Sequence, residues 1–267
     1  MRNWLHVLRS TSRSGRAWRA VLAGTLATAL GVGTAWGVTI LPPPVSPQID
    51  FTVAGATSPT AVNALGSVVT SGAVSTWTLT APTTIGGAQI NSWTVGLKSD
   101  PFVTNNINVT NTTTSTQTFI ASVVLPIPAF AYDRVVFSSL GVTTTDSNGN
   151  NVLSFAKNLS TSIYQGQVNA ATLLNLDPPG LPLTTSDCSP FPGVSGCSAT
   201  GAAGIPAAGL AVPAGTANSV GIVLTFDLSP GDSAGLTSRF EVVPEPATAL
   251  LFGIGLVTLA LRRSQRA

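Results

Sequence analysis

Residues 221–243 read "GIVLTFDLSPGDSAGLTSRFEVV", and a period of two runs through them on both sides of a turn. Ile222, Leu224, Phe226 and Leu228 share one face of the first half, with Val223, Thr225 and Asp227 on the other. Successive side chains of a strand point to opposite faces, whereas a helix would scatter these residues around its circumference. This is a half-buried strand. "SPGDSAG" supplies a turn, after which Leu236, Phe240 and Val242 lie opposite Thr237, Arg239 and Glu241. The two strands are expected to form an antiparallel hairpin.

The same texture extends outward through "VSTWTLT" (74–80), "NSWTVGLK" (91–98), "TQTFIASVVL" (116–125) and "YDRVVFSSLGVTTT" (132–145). No long stretch of residues 38–243 repeats every 3.6 residues. Short strands separated by Gly, Pro, Asn and Asp predict an all-β fold, an antiparallel β-sandwich of Ig-like or jelly-roll type, with strand order left open.

The two ends have a different character. The first twenty residues, "MRNWLHVLRSTSRSGRAWRA", carry five arginines and no carboxylate, and "VLAGTLATALGVGTAWGVTI" after them is apolar. That is the pattern of a secretory signal peptide with a long basic region, calling for Sec-type export machinery. Ala35 and Gly37 fit a cleavage site just before Val38, with cleavage after Ala35 as an alternative and an uncleaved N-terminal membrane helix as the competitor. At the other end, "VPEPATALLFGIGLVTLALRRSQRA" places Pro244, Glu245 and Pro246 before fifteen uncharged residues, 247–261, and then Arg262, Arg263 and Arg266. Each proline fixes its own φ and pushes the residue before it toward an extended conformation, so the triplet is straight in advance. Pro246 suits the first turn of a helix, and Glu245 complements the positive end of its dipole. Fifteen helical residues span about 22 Å against a hydrocarbon core of about 30 Å, a short transmembrane helix. The arginines place its far end on the cytoplasmic side.

In that order, a Pro-Glu-Pro triplet, a Leu/Gly/Ala-rich stretch and an arginine cluster, the tail resembles the PEP-CTERM sorting signal of exported bacterial proteins. The resemblance covers about twenty-five residues. It implies recognition of Pro244, Glu245 and Pro246 by an exosortase, an integral-membrane cysteine peptidase that separates passenger from tail. It also implies export across the inner membrane of a Gram-negative-type bacterium, transient anchoring there, and a place at the cell surface or in an extracellular polysaccharide or biofilm matrix. The expected organisation is therefore a signal peptide over 1–37, a mature sandwich over 38–243 and a sorting signal over 244–267.

Removing the ends changes the charge. The whole chain carries +2, but residues 38–243 hold nine carboxylates against Lys98, Arg134, Lys157 and Arg239, about −5. No basic stripe remains to neutralise phosphates, which excludes a nucleic-acid partner. His6, the one histidine, belongs to the leader, so His-dependent catalytic pairs and the common zinc sites are ruled out. A carboxylate dyad stays open, but no local motif selects two of the nine acids. No enzyme activity and no cofactor are expected.

Residues 177–216 contain seven prolines and seven glycines, a composition that resists ladders and helices, and are expected to form a long loop or insertion. Within them Cys188 and Cys197 enclose eight residues and are expected to form one disulfide in an exported protein. "TTTDSNGNNV" presents Asp146, Asn148 and Asn150 at alternating positions, a calcium-loop candidate whose glycine sits too early and which lacks a closing glutamate. Asn148-Gly149 also reads as a tight turn between strands. Trp77 and Trp93 are either core tryptophans or a sugar-stacking platform; the platform or the calcium loop would make the domain a carbohydrate-binding module.

Overall fold

The computed structural model describes residues 47–98, 101–129, 134–148, 153–158, 161–185, 198–204, 210–212 and 217–244. Ala35, Gly37, Val38, Asn150, Cys188, Cys197, Glu245, Pro246, Arg262, Arg263 and Arg266 lie outside the described residues, and with them the cleavage region, the disulfide pair and most of the sorting signal.

In chain order the strands are β1 (Gln48–Val53), β2 (Thr60–Ala61), β3 (Gly66–Ser71), β4 (Val74–Leu79), β5 (Thr83–Ile85), β6 (Ala88–Lys98), β7 (Phe102–Asn111), β8 (Gln117–Pro126) and β9 (Arg134–Thr145). They continue with β10 (Leu153–Ala156), β11 (Tyr164–Val168), β12 (Ala171–Leu176), β13 (Leu183–Thr185), β14 (Ser198–Gly204), β15 (Leu210–Val212), β16 (Ser219–Leu228) and β17 (Ser233–Pro244). Among the described residues helix is limited to one 3-10 turn, Asn63–Leu65.

Two sheets result. One has the order β12-β11-β16-β8-β1-β2, with β10 beside β16 and β13 beside β10. The other runs β14-β9-β17-β7-β6-β4-β3, with β15 beside β9 and β5 beside β6. All of these strand pairs are antiparallel. The inner residues of both sheets form one hydrophobic cluster, which makes the fold an antiparallel β-sandwich.

Three local expectations change. β16 and β17 are not a hairpin: β16 lies between β11 and β8, β17 between β9 and β7, and the turn between them carries the chain from one sheet to the other. Both strands are rich in apolar residues, and each buries its inner face against the opposite sheet. Likewise β9 and β10 belong to different sheets, so the chain around Asn148 makes a crossing and no tight hairpin. The Pro/Gly-rich segment contributes β13, β14 and β15 in place of an uninterrupted loop. β14, "SATGAAG", pairs over its full length with β9 from Ser198↔Thr145 to Gly204↔Ser139. Small residues suit this edge position, because a Cβ on Gly201 would come within 2.7 Å of Pro178 Cβ.

A row of aromatic rings ties the layers together. Phe155 stacks on Phe226, Phe226 meets Phe119, and Phe119 stacks on Phe51, at centroid separations of 5.3, 5.8 and 6.1 Å across β10, β16, β8 and β1. The row then passes to the other sheet, where Phe51 meets Trp93 edge to face at 6.2 Å and Trp93 meets Trp77 in the same way at 5.8 Å. Edge-to-face contacts set the positive rim of one ring on the negative face of the next and add to the area buried. The Tyr164 hydroxyl in β11 also crosses the gap, donating to the Arg239 carbonyl in β17 at 3.0 Å and lying 3.0 Å from Ser138 Oγ in β9. Burial pushes its phenol pKa up, with the Ser138 contact opposing, so it stays a neutral donor.

The Tyr164→Phe variant is expected to lose about 1–2 kcal/mol in denaturant unfolding, since Ser138 and the Arg239 carbonyl are left without that partner. Phe226→Ala should lose more, about 3–5 kcal/mol, because it opens a gap in the middle of the aromatic row.

Candidate functional site

The two tryptophans that could have stacked on sugar are core residues. Trp93 is 0% exposed and Trp77 is 1% exposed. The Trp93 indole donates to Asn105 Oδ1 at 2.6 Å and the Trp77 indole to the Asn63 carbonyl at 3.1 Å. Gly66 lies against Trp77 so closely that a Cβ there would sit 2.3 Å from the ring. Neither ring offers a face to solvent, so the platform reading does not hold for this pair.

The acids give a different result. Along β17 the inward positions are Ala234, Leu236, Ser238, Phe240 and Val242, and the same parity carried back one step reaches Asp232. Along β9 the inward positions run from Val136 to Thr144, and the next step is Asp146. The ladder pairs Leu236 with Val142 and Ala234 with Thr144, ending at Ser233↔Thr145, so Asp232 and Asp146 face each other just beyond its last rung. Side chains directly opposite in an antiparallel pair have Cβ atoms about 4.5–5.5 Å apart. Asp232 is 0% exposed and Asp146 is 2% exposed. Two carboxylates thus occupy the inner face where a hydrophobic pair would continue the core.

The turn holds Asp232 in place through backbone bonds. Asn111 N–H donates to the Asp232 carbonyl at 2.9 Å, and Gly231 N–H donates to the Asn111 carbonyl at 2.8 Å. Gly231 takes φ +75°, and a Cβ on it would come within 2.3 Å of Asn148 Nδ2, so both the backbone and the space call for glycine. Ser229 Oγ donates to Asp232 Oδ2 and accepts from the Ser154 N–H of β10 at 2.8 Å, which links the site to the opposite sheet. Asp232 Oδ1 is buried without a hydrogen-bond partner. Burial pushes the Asp232 pKa up; the Ser229 hydroxyl opposes this, the Asp146 charge adds to it, and the Ser147 amide opposes it more weakly.

Of the three calcium-loop candidates, Asp146 and Asn148 are described and Asn150 lies outside the described residues. Asp146 points inward, whereas Asn148 is exposed and its amide nitrogen donates to the Pro230 carbonyl at 2.6 Å. The chain leaves the strand after Thr145, so the alternation of 146 and 148 does not persist in space. The residue that the register sets opposite Asp146 is Asp232, from a turn 86 residues downstream. Its signal was available in the parity of β17, but "SPGD" reads first as turn chemistry.

At the other end of the same strand, Val242 is buried and its N–H donates to the Pro101 carbonyl at 2.8 Å, while Val243 and Pro244 pair with Val135 and Arg134. Pro244, the first residue of the triplet, is therefore the last residue of a central strand. No linker separates the sandwich from Glu245.

The model of the PEP-CTERM protein-sorting motif matches residues 242–264, so the chain carries that motif. No curated protein matches the chain. A solved structure, TmCBM61 in complex with beta-1,4-galactotriose, is similar over 53% of this chain and 71% of that one, at 11% identity and a TM-score of 0.19.

A carboxyl group with a raised folded-state pKa keeps its proton where the unfolded chain has lost it, so this group's contribution to stability falls as pH rises from its ordinary value of 3.8 through the raised one. Asn does not titrate. In metal-free buffer the stability of Asp232→Asn relative to the parent is expected to grow with pH across that window and then level off, as read from urea midpoints at a series of pH values.

Proposed function

We propose that this chain is an exported, non-catalytic β-sandwich protein of the cell surface or extracellular matrix of a Gram-negative-type bacterium, sorted through its C-terminal signal. The observation that carries this reading is the sorting motif at 242–264, which begins inside β17 and continues without a linker into the expected membrane helix. On this reading the leader over 1–37 engages Sec-type machinery and is removed near Ala35, Gly37 and Val38. The tail then anchors the sandwich briefly, with Arg262, Arg263 and Arg266 inside and Glu245 and Pro246 outside, until an exosortase-type peptidase cuts. Cleavage upstream of Val242 would remove part of a strand paired on both sides, so the cut falls after Pro244.

The sandwich is of the jelly-roll type, supported by a chain that passes between sheets from β7 to β8, from β8 to β9 and from β16 to β17. Among the described residues, the pair Asp146 and Asp232 is buried in the sandwich, where a sugar chain has no entry, and this supports a non-catalytic role. A matrix polysaccharide remains the partner that the sorting signal suggests. A carbohydrate-binding module, the alternative, would need a surface other than Trp77 and Trp93. Cys188 and Cys197 form one local disulfide in the exported product.

Mass spectrometry of both termini tests the reading. The extracellular product is expected to begin at or near Val38, to end after Pro244 and to lack Arg262, Arg263 and Arg266. A released product that retains those arginines would overturn the proposal. Replacing Glu245 and Pro246 together by alanine should leave the uncut chain in the membrane fraction, while the sandwich still resists proteolysis.

A further inference from the structure

We propose that two copies of this chain pair edge to edge through β3, antiparallel, about a two-fold axis at Val69. Among the described residues β3 pairs with β4 on one side and ends the order β14-β9-β17-β7-β6-β4-β3. Its other row of backbone N–H and C=O groups faces outward, a template for a further strand.

Apolar side chains gather at this edge. Val69 is 67% exposed and Val68 is 54% exposed. With Leu65 and Val74 they make four of the five large hydrophobic residues that are exposed among the described residues. Val68 stands opposite Trp77 and shares its inward parity, yet the core closes over Trp77 and leaves Val68 in solvent. Both sides of the strand are open to a neighbour.

The other described edges are short or guarded. β2 has two residues, and β5, β13 and β15 have three each. β14 holds only Ser, Ala, Thr and Gly. β12 exposes Ala171, Thr172 and Asn175, and its ladder with β11 shifts register at Gly166/Gln167. β3 has no charge, no proline and no register shift, the devices that keep edges apart.

Two properties select a second copy as the occupant. The first is charge. From Phe51 to Leu97 the chain contains no Asp, Glu, Lys, Arg or His. A charged partner finds no opposite charge along this edge, whereas an identical uncharged edge meets no repulsion. The second is symmetry. A two-fold axis normal to the sheet keeps matching faces on the same side, so each residue stands opposite one of its own parity and the central residue opposite itself. The stretch "GSVVTSG" (66–72) reads almost alike from either end about Val69. That centre sets Ser67 against Ser71, Val68 against Thr70, and Val69, the most exposed of them, against its own copy. Hydroxyls meet hydroxyls and β-branched side chains meet β-branched ones, which are favourable cross-strand pairs.

The edge is six residues long. Its length of about 20 Å falls short of an interface of about 800 Å² per partner, so the pair is expected to dissociate at about 10⁻⁵ to 10⁻⁴ M.

Sedimentation of the full-length chain in detergent tests this. The parent is expected to be mainly dimeric at about 0.5 mM and monomeric at about 1 μM. Val69→Lys sets like charges opposite each other and should raise the dissociation constant about tenfold or more, with the thermal midpoint kept within about 2 °C because this side chain supports no core. Thr237→Lys, exposed on β17 away from the edge, should leave the dimer unchanged. Mild oxidation of Val69→Cys should give a disulfide between copies, with mass spectrometry finding position 69 of one joined to position 69 of the other. A parent that stays monomeric at about 0.5 mM overturns the proposal, even if that edge then takes up an uncharged polysaccharide. Self-association that Val69→Lys leaves intact, or oxidised Val69→Cys without the link between the two positions 69, overturns it as well.

Discussion

The structure depends on two apolar sheet faces that must be closed against each other, and the closure is made by one row of rings. Phe155, Phe226, Phe119 and Phe51 cross one sheet, and Trp93 and Trp77 extend the row into the other. Buried aromatic side chains remove large areas from water, and their edge-to-face contacts fix the relative position of the layers as well as their adhesion. That requirement accounts for the glycine beside Trp77 at position 66. It also removes both tryptophans from any surface role.

The inner faces do not end uniformly. Along β9 and β17 the buried alternation is mostly apolar, with Ser138, Thr144 and Ser238 among its inward positions, and one step beyond the ladder each chain segment buries an aspartate. At the opposite end of β17 the strand runs into the sorting motif with no spacer. The twelve residues of β17 thus separate an acid pair from the start of the sorting motif by about 40 Å. One end of the sandwich runs into the sorting motif, and the other buries two acids.

Much of the architecture was legible because strand alternation is a local property. β4, β6, β8, β9, β16 and β17 fall on segments whose apolar residues recur every second position, since a sheet with one face on the core imposes that period. Pairing is not local in the same way. The turn at "SPGD" looks like a hairpin turn whether the next strand joins the same sheet or crosses to the other, and the choice depends on which neighbours have open edges. β14 shows the converse: "SATGAAG" has no strand signal of its own, and it pairs with β9 because small side chains fit where Pro178 and Leu183 approach. Asp146 was singled out in the sequence with its neighbours Asn148 and Asn150, and the register that sets Asp232 opposite it is a long-range pairing that no local pattern states.

By itself the sequence determined what adjacent residues settle among themselves: the stiff triplet and its arginine-ended apolar tail, the basic leader, the depletion of cations and histidine, and the alternating strands. Each follows from local sterics, charge or periodicity. Only the tertiary structure decided which strands became neighbours, that Trp77 and Trp93 are enclosed, and that two aspartates 86 residues apart share one buried space. Those outcomes depend on long-range pairing, in which many registers satisfy the same local pattern and packing of the two inner faces selects one.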